Sequence, residues 1–152
     1  ITKYPSYSLI ICGPRDRHKE LNLLFRNLPN VKLVDEIDKY QVSVLIKNSI
    51  ATFAPYVSNL NFINSIPNKV IESLENGIPF ITSTEGELKR LIENYNNGIY
   101  LDKNMKNFYK IKKLIEEKEY RDKLRKNSIN SYKELFDFDK TYEEIIMNLE
   151  KI

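Results

Sequence analysis

The chain has 152 residues, 41% of them hydrophobic and 30% charged, with a net charge of +3. That is enough for one domain with a real core and too little for two comfortable ones, and the interspersed acids and bases lack the segregated basic excess of a nucleic-acid domain. A lone Cys12 and a lone His18 exclude an internal disulfide and a Cys/His zinc site, so cytosolic chemistry is the default; no apolar run has the length of a membrane span and no signal-peptide pattern is visible. The sequence opens on Ile1, almost directly on a strand, and reads as a piece of a longer protein.

"YSLIICG" (residues 7–13) is a short apolar run ending in Gly and Pro, which predicts a buried strand. "RHKELNLLFRNL" (17–28) sets Leu21, Leu24, Phe25 and Leu28 at helical spacing, and Pro29 with Asn30 stops it. "VKLVD" (31–35) predicts a second strand. "KYQVSVLIKNS" (39–49) puts Tyr40, Val44 and Leu45 on one helical face, although its β-branched residues weaken the pattern. "IATFAPY" (50–56) predicts a third strand that runs into a polar loop.

"NSIPNKVIESLENGIPFITS" (64–83) then reads as loop, helix, glycine stop and strand. Val70, Ile71 and Leu74 share a face, Gly77 fits the helix C-cap, and residues 79–83 predict a fourth strand. Thr84 and Glu87 have the spacing of a capping box ahead of "LKRLIENY". Asn97-Gly98 predicts a turn, and residues 99–101 a fifth short strand. From about Met105 the pattern is only helical, with two or three helices.

Strands that alternate with helices, and that are apolar runs without polar alternation, indicate a parallel sheet covered on both faces. The expected fold is α/β: a Rossmann-like doubly wound parallel sheet of about five to six strands with a helical C-terminal tail. Ligands in such folds sit beyond the C-terminal ends of the strands. The candidate loops therefore follow Ile11, Asp35, Pro55 and Ser83.

In the first of these, "CGPRDRHK", Gly13 permits a tight turn beside a ligand and Arg15 and Arg17 have the chemistry to reach phosphates. A plain Gly-Pro turn with solvated arginines explains the same residues. No Gly-Lys-Ser/Thr follows, so it is not a P-loop, and the further glycines of a dinucleotide fingerprint are missing. His18 reads as a surface residue.

The segment 64–72 carries more. A helix that starts at Pro67 or Asn68 leaves free N–H groups at its tip, an anion site, and Lys69 adds a charge in the first turn. Glu72 lies about one turn on, where a carboxylate can accept two vicinal hydroxyls such as those of a ribose. A Lys69–Glu72 surface pair on a Pro-capped helix is the competing interpretation. The residues alone leave both open.

"PNKVIESLENGIPFITSTEGELKRLIENYNNGIYL" resembles the nucleotide-binding half of retaining glycosyltransferases of the GT-B type (group 1, family 4-like), which include sucrose synthases and many bacterial lipopolysaccharide and capsule transferases. The family repeats Glu-small-apolar-x-x-Gly-x-Pro before an apolar strand; Glu72, Ser73, Leu74, Gly77 and Pro79 match it. Gly86, Leu91, Ile92, Asn97 and Gly98 resemble its next helix and turn, "LIICGP" its Gly-Pro loop, and the tail its closing helices. The likeness covers nearly the whole chain.

The resemblance implies a single donor-binding domain over residues 1–152, with a helical tail from about 104 to 152 packed on it, as a fragment of a two-domain enzyme without its N-terminal acceptor domain. It implies that Gly13, Arg15, Arg17, Ser65, Pro67, Asn68, Lys69 and Glu72 bind a UDP- or GDP-sugar. Glu72 would hold the ribose hydroxyls, the amides near Pro67, Asn68 and Lys69 the diphosphate, and the region of Ile37 the base. No catalytic residue is assigned. No metal or further cofactor is expected, and no nucleic acid.

The full enzyme would be a hexosyltransferase acting on a glycan or lipid acceptor in bacterial cell-surface polysaccharide synthesis. It would be cytoplasmic, with room for peripheral contact at the inner face of the membrane. An ordinary solvated face fits the basic tail better than a membrane-binding one, because Glu116, Glu117 and Glu119 dilute its charge. The fragment alone would be inactive.

Some residues depart from the family. Asn64 stands where a second Glu often contacts the donor sugar, although Ser65-Ile66-Pro67-Asn68-Lys69 fits a Ser-x-Pro-x-Lys variant of that loop. Arg90 replaces a common acid. The usual opening strand with its Arg and Lys phosphate ligands is missing. A sugar-nucleotide epimerase-like domain and a catalytically degenerate interaction domain are the alternatives. A receiver-like signalling domain fits poorly, for want of its acidic cluster.

Overall fold

The computed structural model describes residues 4–56 and 59–149. The chain divides into two compact units, Ile1–Val44 and Leu45–Ile152.

In the first unit, β1 (Leu9–Cys12) and β2 (Val31–Val34) pair in parallel, Leu9 opposite Val31 and Cys12 opposite Val34. Helix α1 (Arg15–Phe25) joins them. Asn30 anchors the entry: its side-chain amide donates to the carbonyls of Tyr4 and Tyr7, each at 3.2 Å, and its own carbonyl accepts from Leu9 N–H at 2.8 Å. The expected burial of the first strand is only half met, since residues of β1 and β2 are alternately half-buried and exposed.

Helix α2 (Lys39–Lys47) starts on a reciprocal cap. Gln41 N–H donates to Asp38 Oδ1 at 2.8 Å, and Asp38 N–H donates to Gln41 Oε1 at 3.0 Å. Two N–H groups that the helix cannot satisfy are thereby paired.

The second unit holds β3 (Thr52–Phe53), β4 (Phe80–Thr82) and β5 (Gly98–Tyr100), parallel and in the order β3-β4-β5. Helices α3 (Leu60–Ile63) and α4 (Asn68–Glu75) lie between β3 and β4, and α5 (Glu87–Tyr95) between β4 and β5. After a 3-10 turn come α6 (Tyr109–Glu116), α7 (Lys118–Leu135) and α8 (Phe138–Leu149). The expected α/β fold with parallel strands and a helical tail is present, with five strands among the described residues, in two ladders.

Successive strand residues face opposite ways, and β4 shows what that does here. Phe80 heads one cluster with Ala54, Val70, Leu74, Leu88, Leu91 and Ile92, which brings α4 and α5 together. Ile81 heads another with Ile99, Leu114 and Leu124, from β5, α6 and α7. All these side chains are buried, and each of them larger than Ala54 is worth roughly 1.5–3 kcal/mol of burial. The strand ladder of this unit is thus covered by helices on both faces.

Small polar groups tie α7 to the turn before β5. Asn97 is fully buried, and its side-chain amide donates to Ser131 Oγ at 2.8 Å. The expected Asn97-Gly98 turn is shifted by one residue: Asn96 takes the left-handed conformation and Gly98 already belongs to β5. Arg121 donates to the carbonyls of Leu114 and Ile115, each at 3.0 Å, closing the C-terminal end of α6.

Among the described residues no helix is long and apolar enough to cross a membrane. The tail's charges meet in pairs one turn apart, Lys112 with Glu116 and Lys113 with Glu117, as on a solvated helix face.

Candidate functional site

The expected site residues fall in both units. Gly13 follows β1, where its N–H donates to Val34 O at 3.1 Å. Its φ is not positive, and an added Cβ there would meet no atom within 4 Å. The short passage from β1 to α1 through Gly13 and Pro14 therefore does not use a left-handed glycine. Arg15 and Arg17 lie in the first turn of α1, and their side chains, like that of His18, lie outside the described part of the structure.

In the second unit the chain leaves β3 at Ala54, whose carbonyl accepts from Thr82 Oγ1 at 2.7 Å. Tyr56 is pinned next. Its N–H donates to Thr84 Oγ1 at 3.0 Å, and the same hydroxyl donates to Tyr56 O at 3.1 Å. Thr84 is fully buried. The capping-box role expected of Thr84 is thereby overturned: α5 begins at Glu87 behind Gly86, and the Thr84 hydroxyl instead ties down the loop after β3. The Tyr56 ring stacks on Phe62 of α3, centroids 4.7 Å apart and planes 19° from parallel.

Helix α3 is a single turn capped by Asn59, whose side chain accepts from Phe62 N–H at 3.1 Å. Ser65 donates its hydroxyl proton back to Asn61 O at 2.6 Å. Pro67 is the N-cap of α4, extended at φ −65° and ψ 145°, with no side-chain cap. Its carbonyl takes the N–H of Val70 at 2.8 Å and of Ile71 at 3.4 Å. The amides of Asn68 and Lys69 have no partner among the described residues, so the first turn presents two free N–H groups.

Two charged side chains stand on that turn and the next. Lys69 is exposed, with its ammonium 4.7 Å from the centre of the Tyr56 ring. Desolvation against its neighbours lowers its pKa from the ordinary lysine value. Glu72 is half-buried, and its carboxylate has neither a hydrogen bond nor an ion pair among the described residues. The surface pair that competed for Lys69 and Glu72 does not form. Behind them α4 buries Val70, Ser73 and Leu74, and Ser73 Oγ lies 2.7 Å from Thr52 Oγ1 of β3.

The helix ends in a Schellman motif: Ile78 N–H reaches Ser73 O and Gly77 N–H reaches Leu74 O, both at 2.9 Å, with Gly77 at φ 66°. The loop after β4 adds a second polar cluster. Tyr100 donates to Glu85, Lys89 donates to the same carboxylate at 2.9 Å, and the Lys89 ammonium lies 4.8 Å from the Tyr100 ring centre.

Sequence reasoning gathered Ser65, Pro67, Asn68, Lys69 and Glu72 into one segment, and they lie around the start of α4. It did not connect Tyr56, Phe62 or Thr84 with that segment. The signal available for Tyr56 was its place just after Pro55, at the C-terminal end of a strand. Among the described residues no group of three or more acidic, His or Cys side chains is placed to hold a metal ion.

Parallel strands, helices on both faces and a helix tip with free amides beyond the strand ends define a Rossmann-like α/β class of domain. The model of the group 1 glycosyl transferases matches residues 1–131, and the chain belongs to that family. No curated protein matches the chain. Crystal structures of the Anabaena protein HepE share the fold. The complex with UDP and glucose superposes with a TM-score of 0.72 at 17% identity, over 97% of this chain and 41% of that one. The complex with UDP gives 0.72 and 18%, and the complex with UDP-glucose 0.70 and 18%, each over 97% of this chain and 42% of the other. The chain therefore spans about two fifths of the length of the solved structures it matches.

Proposed function

We propose that this chain is the donor-binding domain of a GT-B glycosyltransferase and takes a UDP- or GDP-sugar at the start of α4. The observation that carries this is the half-buried, unpartnered carboxylate of Glu72, about one turn beyond two free amides and the Lys69 ammonium. A diphosphate suits the amides and the lysine; a pair of ribose hydroxyls suits the carboxylate. That HepE, with the same fold, is crystallised with UDP and UDP-glucose supports the choice of ligand. Gly13, Arg15 and Arg17 are also proposed as phosphate-contacting residues, on the family resemblance of the loop after β1 alone. The sites of Ser65 and Pro67 are proposed to shape the loop by backbone.

In the whole enzyme an acceptor hydroxyl oxygen would bond to the anomeric carbon as the bond from that carbon to the diphosphate breaks. The electron pair would stay on the diphosphate, and the acceptor's proton would pass to the departing diphosphate oxygen. Lys69 and the α4 dipole would stabilise the charge that builds on the leaving group. The acceptor is proposed to be a glycan or lipid, in bacterial cell-surface polysaccharide synthesis on the cytoplasmic side of the membrane.

Calorimetric titration with UDP, GDP and ADP tests the donor site. One nucleotide is expected to bind in the micromolar-to-millimolar range, and Glu72→Ala to weaken it about 10–100-fold, the size of a charged hydrogen bond. Binding by none of the three, or equal binding by the variant, would overturn the assignment and favour an interaction domain.

A further inference from the structure

We infer that Tyr56 is a positioning residue for the donor diphosphate: its ring holds the Lys69 ammonium at the mouth of α4, ready for the phosphates. This rests on the donor site proposed above.

Three observations carry it. First, the ring is fixed on two sides. Both backbone polar groups of Tyr56 go to the buried Thr84 hydroxyl, and the ring is stacked on Phe62. Second, the ring holds Lys69 from across the chain. The ammonium lies 4.7 Å from its centre, within the range of a cation–π contact. Third, no carboxylate among the described residues forms an ion pair with Lys69, although Glu72 is one turn away.

A lysine on an exposed helix turn samples many rotamers, and ordering it on binding costs affinity. A lysine already laid over a fixed ring has lost part of that freedom. A cation–π contact is also weaker than a charge-assisted hydrogen bond to phosphate, so the ring yields the ammonium to the ligand. Tyr56 thus acts through Lys69 and touches no ligand atom itself.

The test compares a nucleoside diphosphate with its nucleoside, UDP with uridine and GDP with guanosine, on the chain and on Tyr56→Leu, Tyr56→Phe and Lys69→Met. Tyr56→Leu is expected to weaken the diphosphate about 3–10-fold, within the range of cation–π contacts, and to leave the nucleoside unchanged. Tyr56→Phe keeps a ring and restores the affinity. Adding Tyr56→Leu to Lys69→Met costs nothing more.

Equal loss for nucleoside and diphosphate, an additive double variant, or wild-type affinity in Tyr56→Leu would each overturn the proposal while leaving the donor site standing. Absence of any binding by the unaltered chain would overturn both. A second measurement needs no variant. In the free chain the Lys69 ε-protons are expected upfield under the Tyr56 ring current and to shift back on saturation with the diphosphate. Unshifted ε-protons in the free chain would sink the idea.

Discussion

Tyr100 shows how one side chain can couple two charges beside the strand ends. Its phenol donates to Glu85, whose other oxygen accepts from Lys89. Desolvation first, and then the Glu85 hydrogen bond, push the Tyr100 pKa from 10.0 up to about 12. The hydrogen bond from Tyr100, followed by that from Lys89, lowers the Glu85 pKa. The signs follow from which state holds the proton. The folded chain keeps the Tyr100 proton through a range where the unfolded chain has lost it. That contribution to stability is whole below pH 10 and disappears as pH rises from 10 to about 12. Glu85 contributes in the opposite sense: its share is present above the ordinary carboxyl range and is lost as pH falls through its lowered pKa. Phenolate absorbance should therefore show a component titrating near 12 that Tyr100→Phe removes. The same variant should raise the pKa of Glu85, read by carboxyl NMR. A titration unchanged by the substitution would show that the hydrogen bond does not form in solution.

At the scale of elements, two glycines set where helices stop and how closely they approach. Gly77 ends α4 at φ 66°, and an added Cβ would meet the tip of Ile129 at 2.9 Å, a side chain that can move. Gly86 precedes α5 at φ 82°, and an added Cβ would lie 2.1 Å from the carbonyl oxygen of Ile63 at the end of α3. Alanine at 77 is expected to cost about 1–2 kcal/mol, the left-handed penalty. Alanine at 86 should cost more, because backbone must shift, and it should also weaken donor binding by displacing the loop that leads to α4. Urea unfolding and calorimetry check both; equal costs would contradict the contact at Ile63. These glycines also mark what could be read from sequence. Gly77 was legible as a helix stop because a left-handed stop is local chemistry. The apolar runs of β4 and β5 and the stripe of α4 were legible because burial imposes a period. The four-residue α3 was not, since one turn has no period. Thr84 misled because its spacing to Glu87 is a local signal, whereas its partner, Tyr56, is 28 residues away. The meeting of Tyr56 with Lys69 was invisible for the same reason. The start of the candidate site at Pro67 and Asn68 was legible because proline fixes a helix entry.

At the scale of the whole molecule, binding and transfer should come apart. Sugar transfer requires an acceptor oxygen held within about 3–3.5 Å of the anomeric carbon and aligned with the breaking bond. On the proposed assignment the residues of this chain meet the diphosphate and the ribose, at the donor's nucleotide end. None is assigned to an acceptor, and Asn64 stands where the resemblance expects a glutamate toward the donor sugar. The solved HepE chains extend well beyond the part this chain matches, which is 41–42% of their length. We therefore expect this chain to bind its nucleotide and yet turn nothing over. Incubated with UDP- or GDP-linked sugars and a mixture of glycan and lipid acceptors, it should release no nucleoside diphosphate above the rate of buffer alone, measured by a coupled assay. Release that depends on Glu72 and needs no second polypeptide would defeat the two-domain proposal, because it would show that the group 1 portion alone assembles a working centre. Binding without release would leave acceptor positioning as the missing contribution. On the two-domain proposal, supplying an acceptor domain in trans should then restore turnover without tightening nucleotide affinity, because the nucleotide contacts would already be made and only transition-state contacts would be added.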